Sequence, residues 1–154
     1  MNSTDPARLD DLLGYHLRRG QLRAFAAFAE LVAQTGLTPM LYGVLATVAA
    51  RPGDWQRDIA ESLGADPSTM VRLIDQLEGR GLLRRVTHAT DRRTSVPTLT
   101  EDGRALLARA TPLVRASEER FAAVLSGAER TQLLHLLRRL NGVAAAEGGA
   151  LSSG

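Results

Sequence analysis

The chain has 154 residues, enough for one domain or a small domain with helical extensions, and 44% of them are hydrophobic, which is sufficient for a core. Its 19 basic and 17 acidic residues give a formal net charge of +2, so overall charge alone does not indicate a nucleic-acid partner. The absence of cysteine excludes disulfides, thiol redox switches and cysteine-ligated zinc. No apolar stretch approaches the roughly 20 residues of a membrane-spanning helix, and the N-terminus is acidic. We therefore expect a cytoplasmic protein without membrane contact.

Two helices are predicted in the N-terminal third of the chain. Apolar residues at helical spacing from Leu9 to Val32 predict a long first helix that ends near Gly36. Thr38 is suited to cap a second helix, Pro39 fits its first turn, and an apolar stripe follows before the sequence Arg51-Pro52-Gly53 ends it.

The segment after Trp55 has the pattern of a helix-turn-helix. Apolar residues repeat at helical spacing in two short stretches, Ile59, Ala60 and Leu63, then Met70, Leu73, Ile74 and Leu77. Between them Gly64 is suited to end the first helix, Asp66 to cap the second, and Pro67 to occupy its first turn. The connection between the two helices is therefore predicted to be short and angular.

If the apolar stripe of the second of these helices faces inward, its polar side chains face solvent. The exposed side chains are then Ser68, Thr69, Val71, Arg72 and Gln76. Hydroxyls at a helix N-terminus can bind phosphate, Arg can pair with guanine, Gln with adenine, and Val can contact a thymine methyl group. The same pattern also suits an ordinary solvated helix face, and the next segment decides between the two.

A basic hairpin is predicted directly after this helix. Two strand-like stretches, from Leu82 to Val86 and from Thr94 to Leu99, flank a polar tip. Five arginines against one acid lie between Arg80 and Arg93. Such a tip repels itself unless an anion meets it, which favours DNA phosphate or a narrow minor groove. The predicted contacts in the hairpin are Arg84, Arg85, His88, Asp91, Arg92 and Arg93.

Two further helices are predicted after the hairpin. Thr100 is suited to cap a fifth helix that extends through Leu125 and that Pro112 bends. Ser126 and Glu129 have the spacing of a capping box that opens a last, leucine-rich helix. Residues 147–154 are predicted to form a disordered tail.

These features together resemble the MarR family of winged helix-turn-helix bacterial regulators. The resemblance rests on Ser68-Thr69, the run from Arg72 to Glu78, Gly81-Leu82, Asp91-Arg92-Arg93, and Leu99-Thr100 with Gly103. It implies a mainly α fold of about six helices with a two-stranded β-wing. It also implies that Arg93 enters the minor groove while the Asp91 carboxylate steadies its guanidinium.

Three positions depart from the family pattern. Trp55 stands where a Ser or Thr cap is usual, so Asp54 is the alternative cap. Gln76 stands where a basic residue is frequent, which lowers the charge of the recognition helix. Pro97 interrupts the returning wing strand; it must face away from its partner strand and is expected to shorten or loosen the wing.

The resemblance further implies a homodimer that binds a pseudo-palindromic operator. Residues 1–37 and 105–146 are predicted to form the helical dimerisation region, and residues 38–104 the DNA-binding region. A small ligand, of aromatic or anionic character, is expected to release the DNA. Its predicted binding residues on the first helix are Tyr15, His16, Arg19 and Arg23, although a core-edge histidine with surface arginines explains the same pattern.

No catalytic motif, cofactor-binding loop or metal-ligand spacing is present, so neither an enzyme nor a cofactor is predicted. The sequence predicts a double-stranded DNA-binding regulator, most simply a repressor. The alternative is a winged-helix module that contacts an acidic protein within a transcription complex.

Overall fold

The computed structural model describes residues 8–143 and confirms the predicted mainly α, winged-helix architecture. Within this range there are six α-helices and one two-stranded antiparallel sheet. The helices are α1 Leu13–Val32, α2 Pro39–Ala50, α3 Gln56–Leu63, α4 Pro67–Gly79, α5 Glu101–Phe121 and α6 Gly127–Leu140; the strands are β1 Leu83–Thr87 and β2 Ser95–Leu99. The predicted tail at 147–154 lies outside the described residues.

The first helix is shorter than predicted. Residues Leu9–Asp11 form a separate 3-10 turn, and Leu12 is extended, with φ −97° and ψ 117°. The imidazole Nε2 of His16 lies 2.8 Å from the carbonyl oxygen of Asp10, which ties this turn to α1. The predicted end near Gly36 is confirmed, since Gly36 has a left-handed conformation with φ 69° after a second 3-10 turn, Ala33–Thr35.

Helix α2 lies in the centre of the core. The hydroxyl of Thr38 accepts from the N–H of Leu41 at 3.2 Å, and Pro39 occupies the first position, as predicted. The buried face of α2 packs against α3, α4, α5 and β2. Its buried residues are Leu41, Val44, Leu45 and Val48.

The helix-turn-helix is confirmed, with one correction at its start. Gly64 is left-handed with φ 61°, and the Asp66 carboxylate caps α4. Trp55 occupies the N-cap position of α3 without a side-chain cap bond. Asp54 does not replace it, because its carboxylate forms a salt bridge with Arg51 at 3.0 Å. The expectation that Asp54 caps α3 is therefore wrong.

The wing strand that contains Pro97 is continuous over five residues, so the expected interruption is wrong. Arg85 is the partner of Pro97 in the register. Backbone hydrogen bonds join His88 to Thr94 at one end of the ladder and Thr100 to Leu82 at the other. In an antiparallel ladder every second pair is hydrogen-bonded, so the hydrogen-bonded pairs between these ends are Arg84–Thr98 and Val86–Val96. Pro97 therefore lies in a non-hydrogen-bonded pair, where its missing N–H costs no ladder bond.

The base of the wing and the start of α5 meet at one point, which we call the wing–α5 junction: Gly81, Leu82, Thr100 and Gly103. The Thr100 hydroxyl donates to the Gly81 carbonyl at 2.6 Å and accepts from the Gly103 N–H at 3.0 Å. The Thr100 N–H donates to the Leu82 carbonyl at 3.1 Å. A side-chain carbon at Gly103 would overlap that same carbonyl. Only glycine fits at residue 103 without displacing the backbone.

The C-terminal helices differ in how they pack. Helix α5 continues through Pro112 and packs along α1, but it ends at Phe121, four residues before the predicted end. Ser126 then opens α6 with the predicted capping box. Bonds from the backbone and hydroxyl of Ser126 lower the pKa of Glu129. None of the residues of α6 is buried by the rest of the described chain.

Among residues 8–143, no single helix is both long and apolar enough to cross a bilayer; the segments Leu13–Thr35 and Pro39–Ala50 reach that length and composition only together, with a 71° bend between them.

Candidate DNA-binding surface

The predicted contact residues of α4 lie on its solvent-facing side. Ser68, Arg72 and Gln76 are spaced four residues apart and are exposed, while Thr69 is half-buried. Val71 is 41% exposed, whereas Met70, Ile74 and Leu77 on the opposite face are buried. The structure thus presents a polar face with one exposed aliphatic side chain.

The N-terminus of α4 is organised around the Asp66 carboxylate. It accepts from the Ser68 hydroxyl at 2.5 Å, the Thr69 hydroxyl at 2.6 Å and the Thr69 N–H at 2.9 Å. These bonds, that from the Ser68 hydroxyl first, hold the pKa of Asp66 well below its usual range. In the DNA-free protein both hydroxyls therefore donate to Asp66, and a phosphate has to compete with that carboxylate for them.

Two of the five basic residues counted in the hairpin segment have partners inside the protein. Arg80 donates to the carbonyls of Gly36 at 2.8 Å and Thr35 at 3.4 Å. It therefore closes the turn between α1 and α2 and is not part of the wing surface.

Arg85 connects the wing to the recognition helix. Its guanidinium pairs with the carboxylate of Asp75 at 2.8 Å and with that of Glu78. The hydrogen bond to Asp75 is the largest cause that raises the pKa of Arg85, so the group stays charged. Because both acids lie on α4, Arg85 fixes β1 beside that helix and its charge is already matched. Arg84, its neighbour, forms no salt bridge among the described residues, so the two arginines differ in the charge that they leave available to DNA.

The remaining wing arginines, Arg84, Arg92 and Arg93, are exposed. None of the salt bridges between described residues involves them. They form a cationic group on the wing for which the described part of the chain supplies no acid.

Asp91 does not pair with the guanidinium of Arg93 in this structure. Its carboxylate accepts from the backbone N–H of Arg93 at 3.0 Å, and its carbonyl accepts from the N–H of Thr94 at 3.2 Å and the Thr94 hydroxyl at 3.0 Å. The expected guanidinium pairing is thus replaced by a backbone one. Asp91 shapes the turn that carries Arg93, and it does so without pairing with the Arg93 guanidinium.

His88, predicted as a DNA contact, stacks on Trp55. Their ring centroids are 4.4 Å apart and their planes differ by 23°. The sequence reasoning missed this contact. The signal available was the unusual tryptophan at the N-cap of α3, opposite a histidine at the wing tip.

The predicted ligand residues are partly brought together. His16, Arg19 and Arg23 line a cleft of about 530 Å³ whose apolar side includes Phe121, Leu125 and Leu133. Tyr15 lies outside this lining, but its hydroxyl accepts from Arg19 at 3.3 Å. Two cations therefore face an apolar wall.

A second cleft, of about 460 Å³, was not indicated by any residue spacing. It lies between α2, β2 and α5 and is mostly apolar. Arg104 at its edge donates to the carbonyl of Leu99 at 3.0 Å.

Among residues 8–143 no group of three or more His, Cys, Asp or Glu side chains is arranged to hold a metal ion.

Comparison with known proteins gives the same family as the sequence features. The MarR family profile matches residues 35–94. A putative transcriptional regulatory protein for the hcr operon of Thauera aromatica is 44% identical over 129 residues, 83% of this chain and 78% of the relative. This chain belongs to the MarR family. It is accordingly a DNA-binding transcriptional regulator and not an enzyme.

Solved structures of the repressor CouR are also similar to this MarR-family chain. CouR bound to a 23-mer DNA duplex is 42% identical, with a TM-score of 0.81 over 88% of this chain and 96% of CouR. CouR bound to p-coumaroyl-CoA is 40% identical, with a TM-score of 0.80 over 88% of this chain and 95% of CouR.

Proposed function

We propose that this protein is a dimeric repressor that binds a pseudo-palindromic operator and leaves it when a small anionic aromatic ligand binds. The observation that carries the DNA-binding part is the exposed polar face of α4 beside a wing with three arginines that form no salt bridge with any acid among residues 8–143. Arg85 holds these two parts together. The CouR complex with a DNA duplex supports the same use of the fold.

In this proposal α4 enters the major groove. Arg72 pairs with guanine, Gln76 with adenine, and Val71 contacts a thymine methyl group, so these three side chains supply sequence preference. Arg84, Arg92 and Arg93 contact phosphates or the minor groove and supply much of the affinity. Ser68 and Thr69 turn from Asp66 toward phosphate, and His88 and Asp91 support the wing tip.

The apolar side chains left exposed on the outer helices support the proposed dimer. They lie on the first and last helical segments of the described chain, where the core formed by residues 8–143 does not cover them. Those more than 40% exposed include Leu9, Leu12, Leu13, Leu17, Leu22 and Phe25 near the N-terminus, and Leu133, Leu134, Leu136 and Leu140 on α6. We assign dimerisation to residues 1–37 and 105–146, and DNA binding to residues 38–104. A twofold axis then places the two recognition helices about 34 to 36 Å apart, one turn of B-DNA.

Leu136→Glu tests the dimer. Leu136 is 43% exposed on α6, and a carboxylate buried between two copies of this helix would be strongly unfavourable. We expect sedimentation velocity at micromolar concentration to show a dimer for the wild type and a monomer for Leu136→Glu. The matched control is His135→Glu, which introduces the same acid at the neighbouring exposed position on a different side of the helix. Monomeric wild type would refute the proposed dimer.

Selection from random duplex DNA tests operator binding. We expect the wild type to enrich a pseudo-palindrome. On that duplex, Arg93→Ala should weaken binding by about 1 to 3 kcal/mol or lower the salt slope by about one phosphate equivalent. Arg72→Ala should relax preference at one position in each half-site. Arg115→Ala, at an exposed position of α5, is the control and should leave both properties unchanged. If no sequence is enriched, the protein-contact alternative is favoured.

The cleft beside α1 supports the ligand part of the proposal. Arg19 and Arg23 are suited to a carboxylate or phosphate, and the apolar wall to an aromatic ring. CouR, whose structure contains p-coumaroyl-CoA, supports a hydroxycinnamoyl thioester as the first compound to test.

Thermal unfolding with p-coumaric acid and its CoA thioester tests this assignment. A compound at about 100 times its Kd stabilises the folded state by about 2.7 kcal/mol, so the melting temperature of the wild type should rise with concentration. Arg19→Ala should reduce that rise, whereas Arg18→Ala, also exposed on α1 but outside the cleft lining, should not. The same compound should displace the selected duplex. Equal stabilisation of both variants would place the ligand elsewhere, with the cleft beside Arg104 the next site to test.

A further inference from the structure

The wing tip is held to the start of α3 by one aromatic contact. The rings of Trp55 and His88 stack at 4.4 Å with an angle of 23° between their planes. Both side chains are half-buried, although they belong to a surface turn and a helix N-terminus. The stack therefore joins two residues that are 33 positions apart in the chain, one at the start of α3 and the other directly after β1.

Trp55 is anchored firmly on the helix-turn-helix side. Its carbonyl accepts from the N–H groups of Asp58 at 2.9 Å and Ile59 at 3.1 Å, which starts α3. Ile59 is fully buried in the core. The indole consequently has a fixed base, and it does not serve as a cap, because its side chain makes no cap bond.

His88 is anchored equally well on the wing side. Its N–H donates to the carbonyl of Thr94 at 2.9 Å, which closes the hairpin. Its ring Nδ1 accepts from the N–H of Thr90 at 3.3 Å and lies 3.1 Å from the Thr90 hydroxyl. The imidazole thus orders the first half of the tip, while Asp91 orders the second half through the N–H of Arg93.

We propose that Trp55 and His88 are positioning residues that dock the wing tip onto α3, so that Arg92 and Arg93 reach DNA already ordered. In this assignment His88 acts through Trp55 and does not itself contact DNA. The proposal rests on the proposed DNA binding by the wing. It also accounts for a tryptophan at the N-cap position of α3, where it makes no cap bond: its ring supplies the surface against which His88 of the wing tip packs.

The physical reason is the cost of ordering a charged turn. Arg92 and Arg93 are adjacent, exposed and like-charged, so an undocked tip would sample many arrangements and lose that freedom on binding DNA. A stacked aromatic pair contributes an amount equivalent to about a two- to ten-fold change in an equilibrium constant. We expect loss of the stack to weaken DNA binding by that factor.

A double-mutant cycle on DNA binding separates positioning from direct contact. The variants are Trp55→Ala, His88→Ala and the pair together, measured on the duplex selected by the wild type. If the two residues act through each other, each single change weakens binding by about two- to ten-fold, and the double change weakens it no further. His88→Phe keeps an aromatic ring on the indole and should restore most of the affinity that His88→Ala loses.

The stack can also be measured without DNA, because Trp55 is the only tryptophan in the chain. His88→Ala should increase acrylamide quenching of the intrinsic fluorescence, and His88→Phe should restore protection. Both substitutions leave Trp55 in place, so this readout does not depend on the folding of Trp55→Ala. Circular dichroism checks that the two His88 variants are folded.

The outcomes distinguish this proposal from the proposed function. Additive losses in the cycle, or no rescue by His88→Phe, would show that His88 contacts DNA directly and would overturn the proposal while DNA binding stands. Unchanged quenching in His88→Ala would also overturn it. If the wild type itself selects no duplex, the proposed function fails and the positioning role fails with it.

Discussion

Gly103 lies against the backbone carbonyl of Leu82, closer than any side-chain carbon would allow. The same carbonyl accepts from the Thr100 N–H, and the Thr100 hydroxyl bridges the Gly81 carbonyl and the Gly103 N–H. The end of α4, the base of both wing strands and the first turn of α5 are thus fixed by one small set of contacts among backbone groups and the Thr100 hydroxyl. The orientation of the wing relative to the recognition helix depends on this junction.

Two side-chain contacts extend that constraint outward from the wing–α5 junction. Arg85 ties β1 to α4 through Asp75 and Glu78, and the stack on Trp55 ties the tip to α3. At its other end α5 packs along α1, which carries the arginine-lined cleft. The arginine-lined cleft and the wing therefore lie at opposite ends of the same helix, α5.

Local features of the sequence predicted most of the fold. The caps at Thr38, Asp66 and Ser126 were predictable because each bond joins residues three positions apart. The surface was less predictable, since a count of arginines does not reveal their partners. Arg80 bonds to residues about 45 positions earlier, and Arg85 to acids on the preceding helix, so their partners become visible only once the chain has folded. The expected interruption at Pro97 fails for a related reason. Strand register decides whether the missing N–H of a proline removes a ladder hydrogen bond, and the register is set by the folded hairpin.

The most direct test of the central claim is a comparison of Gly103→Ala with Gly79→Ala by urea unfolding at equal protein concentration. A side-chain carbon at residue 103 would meet the Leu82 carbonyl, whereas at residue 79, also helical, it would meet nothing within 4 Å. We expect Gly103→Ala to lower the free energy of unfolding by about 1 to 3 kcal/mol. Gly79→Ala should leave it unchanged or raise it by about 0.5 to 1 kcal/mol. Equal stability of Gly103→Ala and the wild type would contradict the claim that the wing–α5 junction constrains the fold.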